Sequence, residues 1–311
     1  MSAAPSVRLE GVTKSYGDVL AVNDVTATFG PGVTGLLGPN GAGKSTLIKL
    51  VTGMLSPSIG RVLLCDEPPT SSPHVMARVG LVPEQDPIYP GVSAFEVTSY
   101  LLRLHGLDRG DAAARARAAL ERVGLAAAMD RPVQGYSKGM RQRAKLAQAL
   151  AHDPDVLVLD EPLNGLDPVG RREIVALVQA LGAEGRCVVV SSHVLHEVEA
   201  MTRRVLLMAH GRVIAEGTVA EIRRDLSDRP LTVRVDTPSP REVARFAVGV
   251  EGVLSVDLSA SDRVVVATRR PDDLFAAMAG AVLGQGLPVR SFHPTDEGLE
   301  AVFRYLTAGG A

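Results

Sequence analysis

The sequence predicts an α/β domain organised around a phosphate-binding loop and interrupted by a helical insertion, followed by a small α+β domain. Three observations carry that expectation. An apolar run at residues 33–37 passes through a glycine-rich loop into the helix-like stretch 44–51. Two further apolar runs, 156–159 and 187–190, end in polar residues: Asp160 and Glu161 after the first, His193 after the second. Beyond residue 227 the pattern of strands and helices starts afresh.

The loop reads Gly38-Pro39-Asn40-Gly41-Ala42-Gly43-Lys44-Ser45-Thr46, the G-x-x-x-x-G-K-S pattern known as Walker A. Strand, glycine loop and helix is the context this motif requires. Glycines let successive backbone N–H groups point inward at a phosphate, and the helix N-terminus adds a partial positive charge. Lys44 is placed to reach the β- and γ-phosphates, and the Ser45 hydroxyl to ligate Mg²⁺.

In chain order, residues 7–12 alternate like a half-exposed strand. Tyr16 and Gly17 follow, then a second strand-like stretch at 19–29. Tyr16 is a candidate for stacking on adenine or an ordinary turn tyrosine. A turn cluster at 53–60 ends the first helix, and 61–65 and 79–83 return as strands, with Glu84 and Gln85 at the end of the latter. Residues 93–107, 111–123 and 137–151 read as helices, the last with Ser137 as N-cap, so that a helical insertion occupies about 90–152. After a strand at 156–162 that ends in two carboxylates come a helix at 171–181, a strand at 186–193, a hairpin about Gly211 and a threonine-capped helix at 218–226. The composition shift at 227–230 marks a linker between a domain of residues 1–226 and one of 227–311. The second domain reads β-α-β-β-α-β-α, a ferredoxin-like order with an extra helix at 299–306.

Composition narrows the function. The 311 residues suffice for one large and one small domain, and 46% hydrophobic content supports a substantial core. A formal net charge of −2 argues against a general nucleic-acid binder. Cys65 and Cys187 lie in separate apolar segments, cannot close a metal site alone, and suit a reducing compartment. The N-terminus lacks the pattern of a signal peptide, and no apolar run approaches the ~20 residues of a membrane span. The expectation is a soluble chain whose membrane role, if any, needs a partner.

Phosphate binding alone does not make a hydrolase. Asp160 fits the acidic Mg²⁺ site and Glu161 the base that polarises attacking water, because consecutive side chains leave a strand end on different sides. His193 is placed to hydrogen-bond the γ-phosphate and to position Glu161 or water. Its i+3 neighbour His196 offers a weaker metal-pair reading.

These residues form an ordered set. Residues 7–226 resemble the nucleotide-binding domain of ABC transporters, a P-loop NTPase fold. Tyr16 looks like the adenine-stacking aromatic, Pro83-Glu84-Gln85 like the glutamine loop, Tyr136-Ser137-Lys138-Gly139-Met140-Arg141-Gln142-Arg143 like the signature, and residues 156–161 like Walker B with its catalytic glutamate. Asn164-Gly165-Leu166-Asp167 resembles the D-loop and His193 the switch histidine. Two departures stand out: Lys138 and Met140 replace a glycine and a glutamine of the usual signature, and Glu84 or Gln85 serves as the loop residue. Such variants look like those of the branch that energises type-2 exporters.

The resemblance implies ATP and Mg²⁺ as ligands. Ser45, Asp160 and Glu84 would lie at the metal, and Ser137, Lys138, Gly139 and Asp167 at the nucleotide shared between subunits. It implies a homodimer, or a heterodimer with a similar chain, docked on a separate integral-membrane permease through residues 94–100. The chain would then sit peripherally at the cytoplasmic face of the membrane. A cation in the first turn of the signature helix opposes the helix dipole, so Lys138 either helps capture the partner's γ-phosphate or is a solvated surface lysine. The second domain resembles the accessory domain of type-2 exporter ATPases, with dimer stabilisation, regulation of turnover or plain packing as its role. The competing reading is an ABC-type ATPase of DNA repair or translation. Those carry coiled coils, zinc modules or a second nucleotide domain, and none is evident here.

Overall fold

The structure is a computed structural model and describes residues 4, 6–70, 72–85, 91–218, 221–222 and 230–294. The chain divides into two compact units, Met1–Gly217 and Thr218–Ala311. Most of the expected linker at 227–230 and the whole expected helix at 299–306 lie outside the described residues.

In the first unit, β1 (Val7–Tyr16) pairs antiparallel with β2 (Val19–Phe29) and with β4 (Ile59–Leu64). The first strand is longer than its alternation suggested, because Tyr16 still pairs with Val19. A second sheet has the order β5-β6-β7-β3-β8-β9, made of β5 (Val79–Val82), β6 (Val156–Asp160), β7 (Cys187–Ser192), β3 (Gly32–Leu37), β8 (Arg204–Ala209) and β9 (Arg212–Thr218). The pairings from β5 through β8 are parallel. His210 and Gly211, both at positive φ (49° and 77°), make the tight turn into β9.

The sheet has one hydrophobic cluster on each face, which explains why its central strands are apolar without alternation. Val156, Val158, Cys187 and Val189 enter one cluster, with α1 (Lys44–Val51) and the antiparallel sheet. Leu157, Leu159, Val188 and Val190 enter the other, with the helical insertion and α6 (Pro168–Ala183). Cys187 is thus a packing residue; burial pushes its thiol up to about 12, which leaves it inert at neutral pH.

Local chemistry sets the helix starts. A reciprocal capping box of Ser93 and Glu96 opens α3 (Ala94–Leu104), and Asp108 caps α4 (Arg109–Arg122). Ser137 accepts from the Met140 N–H at 3.2 Å to cap α5 (Lys138–Leu150). Asp167 accepts from the Gly170 N–H at 2.8 Å, with Pro168 in the first turn of α6. Two short helices, α2 (Pro73–Met76) and α7 (Leu195–Met201), were not read from the sequence. Thr218 and Glu221 exchange cap hydrogen bonds, while most of the helix expected after them lies outside the described residues.

In the second unit, β10 (Leu231–Asp236), α8 (Pro240–Val248), β11 (Val253–Ala260), β12 (Arg263–Thr268), α9 (Pro271–Gln285) and β13 (Ser291–Pro294) follow one another. Their antiparallel sheet order β11-β12-β10-β13 is that of a split βαβ unit. Val233 and Val235 face Val266 and Val264 in register, and all four are buried with Leu274 and Met278 of α9. The last strand begins two residues later than its apolar run at 289–292 suggested.

Candidate nucleotide site

Three neighbouring strands, β6, β7 and β3, end side by side, with Asp160 in register with Ser191 and Leu37 with Ser192. Parallel strands therefore deliver the carboxylates, the histidine and the glycine loop to one edge, where open α/β sheets bind their ligands. Gly43 caps α1 at φ 101°, and a Cβ there would collide with the Ala21 carbonyl. The Gly211 N–H donates to the Ala42 carbonyl at 3.0 Å, so the β8–β9 turn staples the loop in place.

Lys44 is 7% exposed, and its Nζ donates to the carbonyls of Gly38 (2.6 Å) and Pro39 (3.1 Å). Burial lowers its pKa, opposed by the charges of Glu161, Asp160 and Glu84. A phosphate arriving here meets a lysine already oriented and further supported as a cation.

The loop, Glu84, Asp160, Glu161, Asn164 and His193 line one cleft of about 480 Å³. Asp160 Oδ1 accepts from Ser191 Oγ at 2.5 Å. Glu161 has φ 48°, a left-handed backbone that a β-carbon disfavours. Its N–H is held by Ser191 Oγ (3.0 Å) and the Ser191 carbonyl (3.2 Å). Strain of this kind, held by surrounding bonds, re-aims the Glu161 side chain away from its neighbour's. That side chain is 8% exposed and accepts from His193 Nδ1 at 2.9 Å. The ring is thereby fixed with Nε2 left to face a ligand.

Residues 39–46, Glu84, Asp160, Glu161 and His193 thus meet in the cleft, as the sequence suggested, and Gly38 contributes its carbonyl to Lys44. The other candidates are not among the lining residues. Tyr16, 47% exposed, ends β1 with Lys14 Nζ 5.7 Å from its ring centre. Gln85 is exposed. Ser137, Lys138 and Gly139 start α5, and Asp167 starts α6. The exposed Lys138 side chain lies over Gly165 of its own chain, filling the space a Cβ would need. Among the described residues no cluster of three or more His, Cys, Asp or Glu is suited to a metal, so His193 and His196 make no closed site.

Supporting residues escaped the sequence reading. Ser191 Oγ holds Asp160 and the Glu161 N–H, and Ser192 Oγ lies 3.4 Å from Glu161 Oε2. Lys145 of α5, 6% exposed, donates from Nζ to the carbonyls of Pro83 (2.8 Å) and Glu84 (3.2 Å). The signal was weak but present: two serines directly precede His193, and a lysine falls on the apolar face of α5.

A glycine loop with its lysine, an Asp-Glu pair and a histidine on adjacent parallel strands define the class as a P-loop nucleotide hydrolase. Residues 22–164 match the family described as ABC transporter. Over 219 residues the chain is 40% identical to Nod factor export ATP-binding protein I of Burkholderia orbicola (strain AU 1054), spanning 70% of this chain and 72% of that protein. Over 312 residues it is 33% identical to the daunorubicin/doxorubicin resistance ATP-binding protein DrrA of Streptomyces peucetius, spanning 99% and 94%. Among solved structures, cbiO1 from Clostridium perfringens, part of the ABC transporter complex cbiONQ, aligns with a TM-score of 0.63 at 29% identity, over 73% of this chain and 96% of that one. A dimeric bacterial ABC transporter cassette aligns with a TM-score of 0.62 at 25% identity, over 68% and 98%. The chain belongs to the ATP-binding subunits of ABC transporters: its ligand is ATP and its reaction ATP hydrolysis.

Proposed function

We propose that this chain energises export through a separate membrane-spanning permease, bound peripherally at the cytoplasmic face of the membrane as one half of an ATPase dimer. The observation that carries the catalytic part is Glu161: a strained, hydrogen-bonded carboxylate beside His193, aimed into the cleft that Lys44 closes. In this reading the loop residues 38–46 cradle the phosphates and Lys44 balances their charge. Glu161 takes the proton of the attacking water, and His193 holds Glu161 and the γ-phosphate.

Mg²⁺ fits the donor set, which is all oxygen: the Ser45 hydroxyl, the free Oδ2 of Asp160 and the Glu84 carboxylate. When bound, the ion would offset charge on the phosphates. Tyr16 would stack on the adenine of its own subunit, and Gln85 is the alternative loop ligand beside Glu84. Ser137, Lys138, Gly139 and Asp167 lie outside the cleft, which supports their serving the partner's nucleotide; Lys138 would leave Gly165 to do so. Homodimer and heterodimer both satisfy this arrangement.

An apolar groove that includes Val92, Phe95, Tyr100 and Leu101 supports residues 94–100 as the surface that receives the permease. The names of the relatives support export over a role in DNA repair or translation. The second unit is read as an accessory domain that stabilises the dimer or regulates turnover. A tagged chain recovered from solubilised native membranes should bring down a multi-span membrane protein and hydrolyse ATP in its company. Recovery with ribosomes or nucleic acid, and with no membrane protein, would overturn the transport reading.

A further inference from the structure

The serine that ends β7 faces two carboxylates. Ser192 is 1% exposed, and its Oγ lies 3.4 Å from Glu161 Oε2 and 3.1 Å from Glu197 Oε2, while accepting the Val194 N–H at 3.0 Å. A hydroxyl has one proton to donate, so it serves Glu161 or Glu197, never both. Glu197, on α7, is 6% exposed, and its other oxygen receives Arg171 Nη1 at 3.0 Å. Arg171, in the first turn of α6, also donates from Nε to the Leu166 carbonyl at 3.1 Å. Leu166 belongs to the 164–167 loop and lies against Gly139 of the α5 start. One unbroken chain of polar contacts thus runs from His193 through Glu161, Ser192, Glu197 and Arg171 to the loop.

We propose that Glu197 and Arg171 are positioning residues for hydrolysis, tying the 164–167 loop to the Glu161 carboxylate through the Ser192 hydroxyl. The physical basis is the shared proton. The hydroxyl lies nearer Glu197 (3.1 Å) than Glu161 (3.4 Å), so while Glu197 takes its proton the Glu161 carboxylate is left to turn toward water. Glu197 can accept it only while Arg171 holds that carboxylate in place, and Arg171 is itself held by the loop. A shift of the loop therefore changes how readily Glu161 is released to the water. A plain ion pair fastening α6 to α7 would not be sensitive to the loop in this way.

The test uses the full chain and steady-state ATP hydrolysis, with nucleotide affinity and thermal melting measured on each variant. Glu197→Gln keeps the shape but loses the ion pair. Arg171→Lys keeps a cation for Glu197 but not the forked donor that also reaches Leu166. Each is expected to lower kcat about 5- to 20-fold with KM for ATP within about twofold of wild type and melting unchanged. Because both act along one chain, the double variant should be within about twofold of the slower single. Near-wild-type kcat in both singles, losses that multiply in the double, or losses that follow a fall in melting temperature would each overturn the proposal. The inference rests on Glu161 as base, and Glu161→Gln in the same assay separates the two. Full turnover in that variant removes the base assignment itself. An inactive Glu161→Gln beside unaffected Glu197 and Arg171 variants removes only the positioning pair.

Discussion

Lys138 shows how one side chain joins two loops. It stands where the family signature has a glycine, and its ammonium end lies over Gly165, whose φ of 68° already excludes most residues. The amine itself comes nearest the glycine, with the last two carbons of the stem behind it, on a side chain that is otherwise exposed. Gly165→Ala is expected to destabilise the chain by about 1–2 kcal/mol, from the left-handed backbone, with an added loss from displacing Lys138. In a Lys138→Gly background only the backbone part should remain. Urea midpoints of the four proteins check this; equal losses with and without Lys138 would show that the two residues do not interact. Glu161 carries the same backbone strain for a different end, since its conformation serves the direction of a carboxylate.

Elements were more legible than their ends. The cap residues of α5 and the opening of α8 at Pro240 were readable because capping and proline chemistry are local. The start of β13 and the length of β1 were not, because pairing with another strand decides where a strand stops. The same holds for the contact that closes the C-terminal ends of α3 and α5. There His105 and His152 stack with ring centres 4.4 Å apart, and His152 Nε2 lies 3.0 Å from the Val79 carbonyl. Burial first, then the charge of His105, lower the His152 pKa below its ordinary 6.5; Arg186 acts in the same direction, while the Val79 carbonyl and Asp153 oppose it. The sign follows from linkage. Between the lowered folded value and 6.5 the unfolded chain binds the proton and the folded chain does not, so stability is lost as pH falls through that window. His152→Gln, which retains a donor for Val79, should flatten this decline. Urea midpoints compared between about pH 7.5 and about pH 5 test it, and an identical pH dependence in both proteins would contradict the assignment.

At the scale of the whole molecule, what could be read was what an ordered motif set dictates. The phosphate loop, the Asp160-Glu161 pair and His193 need particular residue types in particular places, and neighbouring parallel strands gather them into one cleft. Glu197 and Arg171 could not be read, because ordinary residues acquire their roles only when α7 and α6 are packed beside β7. The second unit was legible as an order of elements and silent as to purpose, since its strands carry packing residues and no motif. In the proposed mechanism the cleft holds ATP through its glycine loop and hydrolyses it through Glu161. The most direct test is a paired measurement on Glu161→Gln: equilibrium ATP binding and steady-state turnover of the same preparation. Binding should stay within about threefold of wild type while turnover falls about a hundredfold or more. Turnover at the wild-type rate with ATP bound would contradict the account.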